Sequence, residues 1–272
     1  MLKRTISTII LWGLVLVSAR YLGATGAVWL ITAIGVFTLY EFYGMLRRMG
    51  LTPFDRLGLV LGAAMMLSPR YLEPYVTPAE LLALGVIVFS TRILGEREPQ
   101  NRLETLGWTL FGLLYVPFML HFLVRIVLIA DPHPHTGLVL GVWLVAVTKF
   151  CDSGALLTGL AVGRHLLAPN ISPKKTWEGV AGGVLTAEVV AVALAWGFRA
   201  YLPPTFTPRF AAVTAIPLAG LAIVSDLVES IIKRRADLKD AGHSIPGIGG
   251  MFDLSDSLIL TAPLGWAVFH LL

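Results

Sequence analysis

The chain has 272 residues, 56% of them hydrophobic and only 14% charged, with a net charge of +4. A soluble domain of this length is closer to a quarter charged, so the composition excludes one and predicts an all-α, polytopic integral membrane protein. Open sheets are excluded in lipid, where backbone groups have no water to bond, and the apolar runs are too long for barrel strands.

A spanning helix needs about 20 mostly apolar residues. Nine apolar segments follow in chain order, at roughly 6–22, 25–46, 57–73, 78–94, 106–130, 138–162, 179–199, 211–232 and 256–272. The first starts with a basic stretch and could pass for a signal peptide. Further spans follow at once, so an uncleaved first helix is expected. The third and fourth are short and broken by Pro69, Pro74 and Pro78, which leaves two spans or a re-entrant hairpin open. No linker, repeat or low-complexity tract divides the chain. One membrane-embedded domain over 1–272 is expected, with N-terminal spans in 1–137 and the chemistry in 138–272. The single cysteine, Cys151, excludes an internal disulfide.

Basic residues set the orientation. Of the 21 Lys and Arg residues, 15 lie at the N-terminus or in even-numbered connections. Five (Arg20, Arg70, Arg125, Arg199, Arg209) lie on the other side, and Lys149 lies inside a span. The asymmetry predicts a cytoplasmic N-terminus and puts the connections 163–178 and 233–255 in the cytoplasm. The short chain suggests a bacterial inner (plasma) membrane.

Charge is densest where a membrane protein should have least. Residues 225–256 read SDLVESIIKRRADLKDAGHSIPGIGGMFDLSD. Ionised groups beside hydrocarbon cost several kcal/mol each, so they are functional candidates by default. Asp226, Glu229 and Lys233 are spaced i, i+3, i+7 and share a helix face. A polar loop and the flexible turn Pro246–Gly250 follow, whose bare backbone suits close approach to a phosphate or metal. Asp253 and Asp256 then open the last helix, where carboxylates complement the dipole and suit a hard cation such as Mg²⁺. Helix capping by aspartates is the bland alternative, but it does not account for Asp226 and Glu229 inside a span.

A second group lies in Asn170–Gly179. Pro173 breaks any helix, Ser172 and Thr176 offer hydroxyls, and Lys174 and Lys175 offer charge for a triphosphate. Lys-Lys at a boundary is also ordinary topology signal. Lys149 and Asp152, three residues apart, form either a neutralising pair or one wall of a site. Glu41 either snorkels or faces a polar cavity. His133 and His135 are weak metal ligands at best, and His243 is placed to touch a phosphate. No nucleophile elbow, Walker loop or zinc pair is present.

The run Ser230-x2-Lys233-Arg234-x4-Lys239-Asp240-x-Gly242-x2-Ile245-Pro246-Gly247-x-Gly249-Gly250-x2-Asp253-x2-Asp256 resembles the signature of the phosphatidate cytidylyltransferases, also called CDP-diacylglycerol synthases. Ile171–Gly179 with Gly182 and Gly183 resembles the same family's other hallmark. Asp152, Gly163-Arg164 and Tyr40-Glu41-Phe42 fit its pattern more loosely. Two departures lie inside the signature. Ile248 stands where the family usually has His, and Leu254 where it usually has Arg. Ser225 also replaces a common Gly.

The resemblance implies that CTP and phosphatidate give CDP-diacylglycerol and pyrophosphate at a membrane, without a strong general base. Its implied catalytic groups are Asp226, Asp253, Asp256 and Lys233. The three aspartates would hold Mg²⁺, alone or with a second cation. Ser172, Lys174, Lys175, Thr176 and Arg234 would bind phosphates. Lys239 and Asp240 would order the loop or meet the nucleotide. A homodimer is compatible with this reading, and no nucleic-acid partner is expected. The alternatives are a cytidylyltransferase for another lipid phosphate, a transporter, and a non-catalytic relative suggested by Ile248 and Leu254.

Overall fold

The computed structural model describes residues 21–95, 101–242, 244–247 and 249–272, together with residues 7, 10, 12, 13 and 17. The first apolar segment, His243 and Ile248 therefore lie wholly or largely outside the described residues. The described remainder is mostly helical. In chain order it comprises α1 (Gly23–Arg48), α2 (Asp55–Tyr71), α3 (Pro78–Leu94), α4 (Arg102–Val127), α5 (Thr136–Val162), α6 (Trp177–Gly197), α7 (Pro208–Arg235) and α8 (Met251–His270). Each of the eight later apolar segments corresponds to one helix. Five of these helices, α1, α4, α5, α6 and α7, are long and apolar enough to cross a membrane. The chain is a helical membrane protein.

The third and fourth segments form separate helices, α2 and α3, of 17 residues each. Pro78 starts α3, where its missing N–H costs nothing. Thr77 caps that helix and Glu80 reaches back to it, completing a capping box. Within α4, residues Leu114–Phe118 form a π-helical turn that contains Pro117.

One short sheet was not expected. Strands β1 (Leu166–Ala168) and β2 (Ser172–Thr176) pair antiparallel, with Leu166 opposite Thr176 and Ala168 opposite Ser172. Pro173 does exclude helix here, as its ring requires, but the hydroxyl- and lysine-bearing stretch is extended instead of irregular.

The chain divides into two compact units. The first runs to Val124 and resumes over Arg235–Ser255; the second takes Arg125–Arg234 and Asp256–Leu272. The first has an aromatic core. Phe42 lies about 6 Å from both Phe111 and Phe252, ring to ring. Tyr43 donates to the Thr109 carbonyl at 3.2 Å. Gly62 lets α2 close on Leu39 of α1, because a Cβ there would meet Leu39 Cδ2 at 2.8 Å. The α1–α2 pair is pinned near one end by Arg47–Asp55 at 2.6 Å, and near the other by Trp29 Nε1 donating to the Tyr71 hydroxyl at 3.0 Å.

In the second unit α5 packs on α6 through small residues. Ala187, Ala191 and Ala195 are buried on α6, and Trp143 of α5 donates to the Ala191 carbonyl at 3.0 Å. Lipid tails supply no hydrophobic drive between spans, so close backbone approach and interhelical hydrogen bonds hold them. A Cβ on Gly183 would sit 2.8 Å from the Cys151 carbonyl oxygen. Gly183→Val is therefore expected to destabilise the protein by about 1–3 kcal/mol through overpacking, read as a lower melting temperature in detergent. An unchanged melting temperature would show that this face does not hold the pair.

Candidate active site

The charged window splits between the two units, and each part has its own geometry. In the second unit one carboxylate oxygen each from Asp226, Glu229 and Asp256 lies within 4.8 Å of the others. Asp226 and Glu229 come from α7 at i and i+3, as the spacing predicts. Asp256 comes from α8. Ser225, buried at the same level of α7, donates its hydroxyl to the Asp256 backbone carbonyl. The departure from glycine at that position thus adds a tie between the helices that carry the cluster.

Each carboxylate has a lysine partner. Lys175 reaches Asp226 at 2.6 Å, Lys233 reaches Glu229 at 2.8 Å, and Lys149 reaches Asp256 at 3.0 Å. Lys149 also faces Asp152 at 3.6 Å and donates to the Ser257 hydroxyl at 2.7 Å. The two readings of Lys149 and Asp152 therefore meet, since their ion pair borders the cluster. The Glu229 side chain is fully buried, while Asp226 and Asp256 keep 27% and 12% exposure. Three carboxylate oxygens this close fit a divalent cation of the hard, oxygen-seeking type.

Strand β2 accounts for the different fates of its two lysines. Neighbours on a strand point to opposite faces. Lys175 turns to Asp226 while Lys174 is exposed. Thr176 ends the strand and caps α6 by accepting from the Gly179 N–H at 3.1 Å. Ser172 is half-buried in the β1–β2 register. Glu178 clasps the hairpin's base, accepting from the Arg164 and His165 N–H groups at 3.1 and 3.2 Å and pairing with His165 Nδ1 at 2.5 Å.

Asp253 lies in the first unit and has a different setting. Its Oδ2 accepts the Gly250 N–H at 2.7 Å and the Ala241 N–H at 2.9 Å. The first contact is the reach-back half of a capping box at the start of α8. Of the three aspartates expected to share a cation, Asp226 and Asp256 lie in the second unit with Glu229 beside them, and Asp253 lies in the first unit, where it accepts from the turn. Arg234, Lys239 and Asp240 are exposed. Leu254 is half-buried.

Glu41 holds the same turn from α1. It is buried, accepts the Ser244 hydroxyl at 2.5 Å and accepts the Phe252 N–H at 2.9 Å. Gly250, at the cap position of α8, has no side chain to satisfy that N–H, and Glu41 takes the role. A side chain on Gly250 would strike the Glu41 carboxylate, and a Cβ on Gly242 would meet its Oε1 at 2.5 Å. The turn itself closes through paired bonds between Ile245 and Gly249 at 2.8 and 3.1 Å, with Gly249 at φ +129°. Glu41 thus faces one hydroxyl and one backbone N–H donor and does not snorkel.

The sequence matches the cytidylyltransferase family over residues 2–272. The chain belongs to that family. It is 31% identical over 212 residues to a phosphatidate cytidylyltransferase of Thermotoga maritima, covering 74% of this chain and 72% of that one. It is 30% identical to one from Synechocystis, covering 83% and 82% of the two chains. It is also 30% identical to one from Brucella suis, covering 97% and 91%. The family match takes in both motif blocks, so the hairpin, the carboxylate cluster and the Glu41-held turn are all parts of a cytidylyltransferase.

Proposed function

We propose that this chain is a phosphatidate cytidylyltransferase that makes CDP-diacylglycerol and pyrophosphate from CTP and phosphatidate. The observation that carries the reading is the cluster of three carboxylates, each matched by a lysine, within a chain that belongs to the family along its length. In this reading residues 1–272 act as one membrane-embedded domain with nine spans and a cytoplasmic N-terminus. The basic-residue asymmetry supports that orientation, in a bacterial inner membrane with the site open to cytoplasmic CTP.

The reaction is an in-line displacement. A phosphatidate oxygen bonds to the α-phosphorus of CTP, and the bond from that phosphorus to the departing pyrophosphate oxygen breaks. The barrier is largely the approach of two polyanions, so positioning and charge neutralisation supply most of the catalysis. Asp226, Glu229 and Asp256 would hold Mg²⁺, which would supply Lewis-acid neutralisation of phosphate charge. Lys175 and Lys233 exchange a carboxylate partner for a phosphate oxygen. Lys174 and Arg234, exposed beside them in sequence, neutralise the rest of the triphosphate or the lipid phosphate. Ser172 and the hairpin backbone position the chain's lysines, and Thr176 fixes the hairpin to α6. Asp253 keeps the glycine-rich turn in shape, and Lys239 and Asp240 meet the nucleotide there. The attacking phosphate is ionised at neutral pH, so no side chain needs to remove a proton.

Purified protein given CTP, phosphatidate and Mg²⁺ is expected to release CDP-diacylglycerol and pyrophosphate in equal amounts. EDTA is expected to stop the reaction and excess Mg²⁺ to restore it. Turnover of another lipid phosphate in preference to phosphatidate would reassign the substrate, and binding of CTP without turnover would mark a non-catalytic relative.

A further inference from the structure

The α1–α2 pair carries an open slot at the end away from Arg47–Asp55. The slot has a volume of about 420 Å³ and is lined by Trp29 of α1, by Ala64, Leu67 and Tyr71 of α2, and by Leu72 just beyond. The only polar atoms on these side chains are Trp29 Nε1 and the Tyr71 hydroxyl, and the first donates to the second at 3.0 Å. The rest of the lining is apolar.

Its length fits one acyl chain. Val60, Ala64, Leu67 and Tyr71 are spaced i, i+4, i+7, i+11 and share a face of α2. Val60 keeps 68% exposure, so the apolar stripe continues past the slot. From Tyr71 to Val60 is about 16 Å of helix, close to half of the roughly 30 Å hydrocarbon layer. Trp and Tyr settle at headgroup level, and here they stand together at one end of the stripe.

That end also holds what a phosphate needs. Arg70 is exposed, with its guanidinium carbon 6.0 Å from the centre of the Tyr71 ring. Among the described residues it meets no carboxylate. The Tyr71 oxygen accepts from Trp29, which leaves its own O–H to donate. A guanidinium and a hydroxyl, side by side above an apolar stripe, match an anionic headgroup with its chain below. Trp29 lies about 18 Å along α1 from Glu41, so the slot is separate from the glycine-rich turn.

We propose that this slot binds an anionic glycerophospholipid of the bilayer, with one acyl chain between Trp29 and Ala64 and the phosphate on Arg70 and the Tyr71 hydroxyl. The site is independent of the proposed reaction.

The test uses the full chain in phosphatidylcholine vesicles with a trace of phosphatidylglycerol or phosphatidylcholine, each bearing a diazirine on one acyl chain. After photolysis the labelled peptides are mapped by mass spectrometry. Labelling within 60–72 is expected to be about fivefold higher from phosphatidylglycerol, the preference that one basic residue confers at a membrane surface. Arg70→Gln is expected to label equally with both probes. Ala64→Phe, which fills the slot, is expected to lose labelling by both. Equal labelling of wild type by the two probes, a preference that survives Arg70→Gln, or labelling that survives Ala64→Phe overturns the proposal. Arg70 is exposed, so its variant decides the matter even if Ala64→Phe does not fold. A second copy of the chain is the other possible occupant. Cys151 is buried, so a disulfide between two Leu67→Cys chains would show that protein covers the slot, which also overturns the proposal.

Discussion

Glu229→Gln is expected to lower CDP-diacylglycerol formation by about a thousand-fold, which corresponds to roughly 4 kcal/mol of transition-state stabilisation. The side chain has no exposure, lies within 4.8 Å of Asp226 and Asp256, and is paired with Lys233 at 2.8 Å. Glutamine keeps the volume and removes the charge. It also leaves Lys233 without its counter-charge, and breaking such a pair on one side costs about 3–5 kcal/mol when fully buried. Lys233 keeps 14% exposure, so the cost should fall at the lower end. The double variant Glu229→Gln with Lys233→Met separates the two effects. It is expected to recover the melting temperature and not the turnover. Recovery of both would show that Glu229 serves only as a partner for Lys233.

The second large effect is expected at Glu41. Glu41→Leu should lower stability by about 2–4 kcal/mol, because it strands a buried N–H and a hydroxyl that had a charged acceptor. Product formation should fall at least about 100-fold through misplacement of the glycine-rich turn. The carboxylate accepts from Ser244 and Phe252 and fills the space left by Gly242 and Gly250. Proteolysis reports the turn directly, with cleavage between 236 and 250 expected to accelerate while α5 and α6 stay protected. A variant that kept both turnover and protease resistance would remove Glu41 from any positioning role.

These two residues also mark how far the sequence could be read. Glu229 was visible by spacing, on the same face as Asp226 and Lys233. That its carboxylate comes within 4.8 Å of those of Asp226 and Asp256 was not. The reach of Asp253 back to the Gly250 N–H was equally hidden, since its residue type does not announce it. Glu41 lies 211 positions from Phe252. Nothing in its own neighbourhood distinguishes a snorkelling glutamate from one that caps a distant helix. Lys174 and Lys175 read as equivalent until the stretch proved to be a strand, whose alternation sends one to Asp226 and leaves the other exposed.

By itself the sequence determined the class, the helices among the described residues and the family. Long apolar runs can satisfy their backbone in lipid only as helices, and charge inside such runs is too costly to be incidental. The two motif blocks were sufficient to name a family. Tertiary structure decided which charges meet. Lys149 with Asp256, Lys175 with Asp226, and Ser225 with the Asp256 carbonyl are pairings between residues 31 to 107 positions apart. Such pairings follow from how helices pack, and helix packing follows from glycine and alanine faces such as Gly183 and Ala191, whose message is the absence of side chain and so is nearly silent in a single sequence.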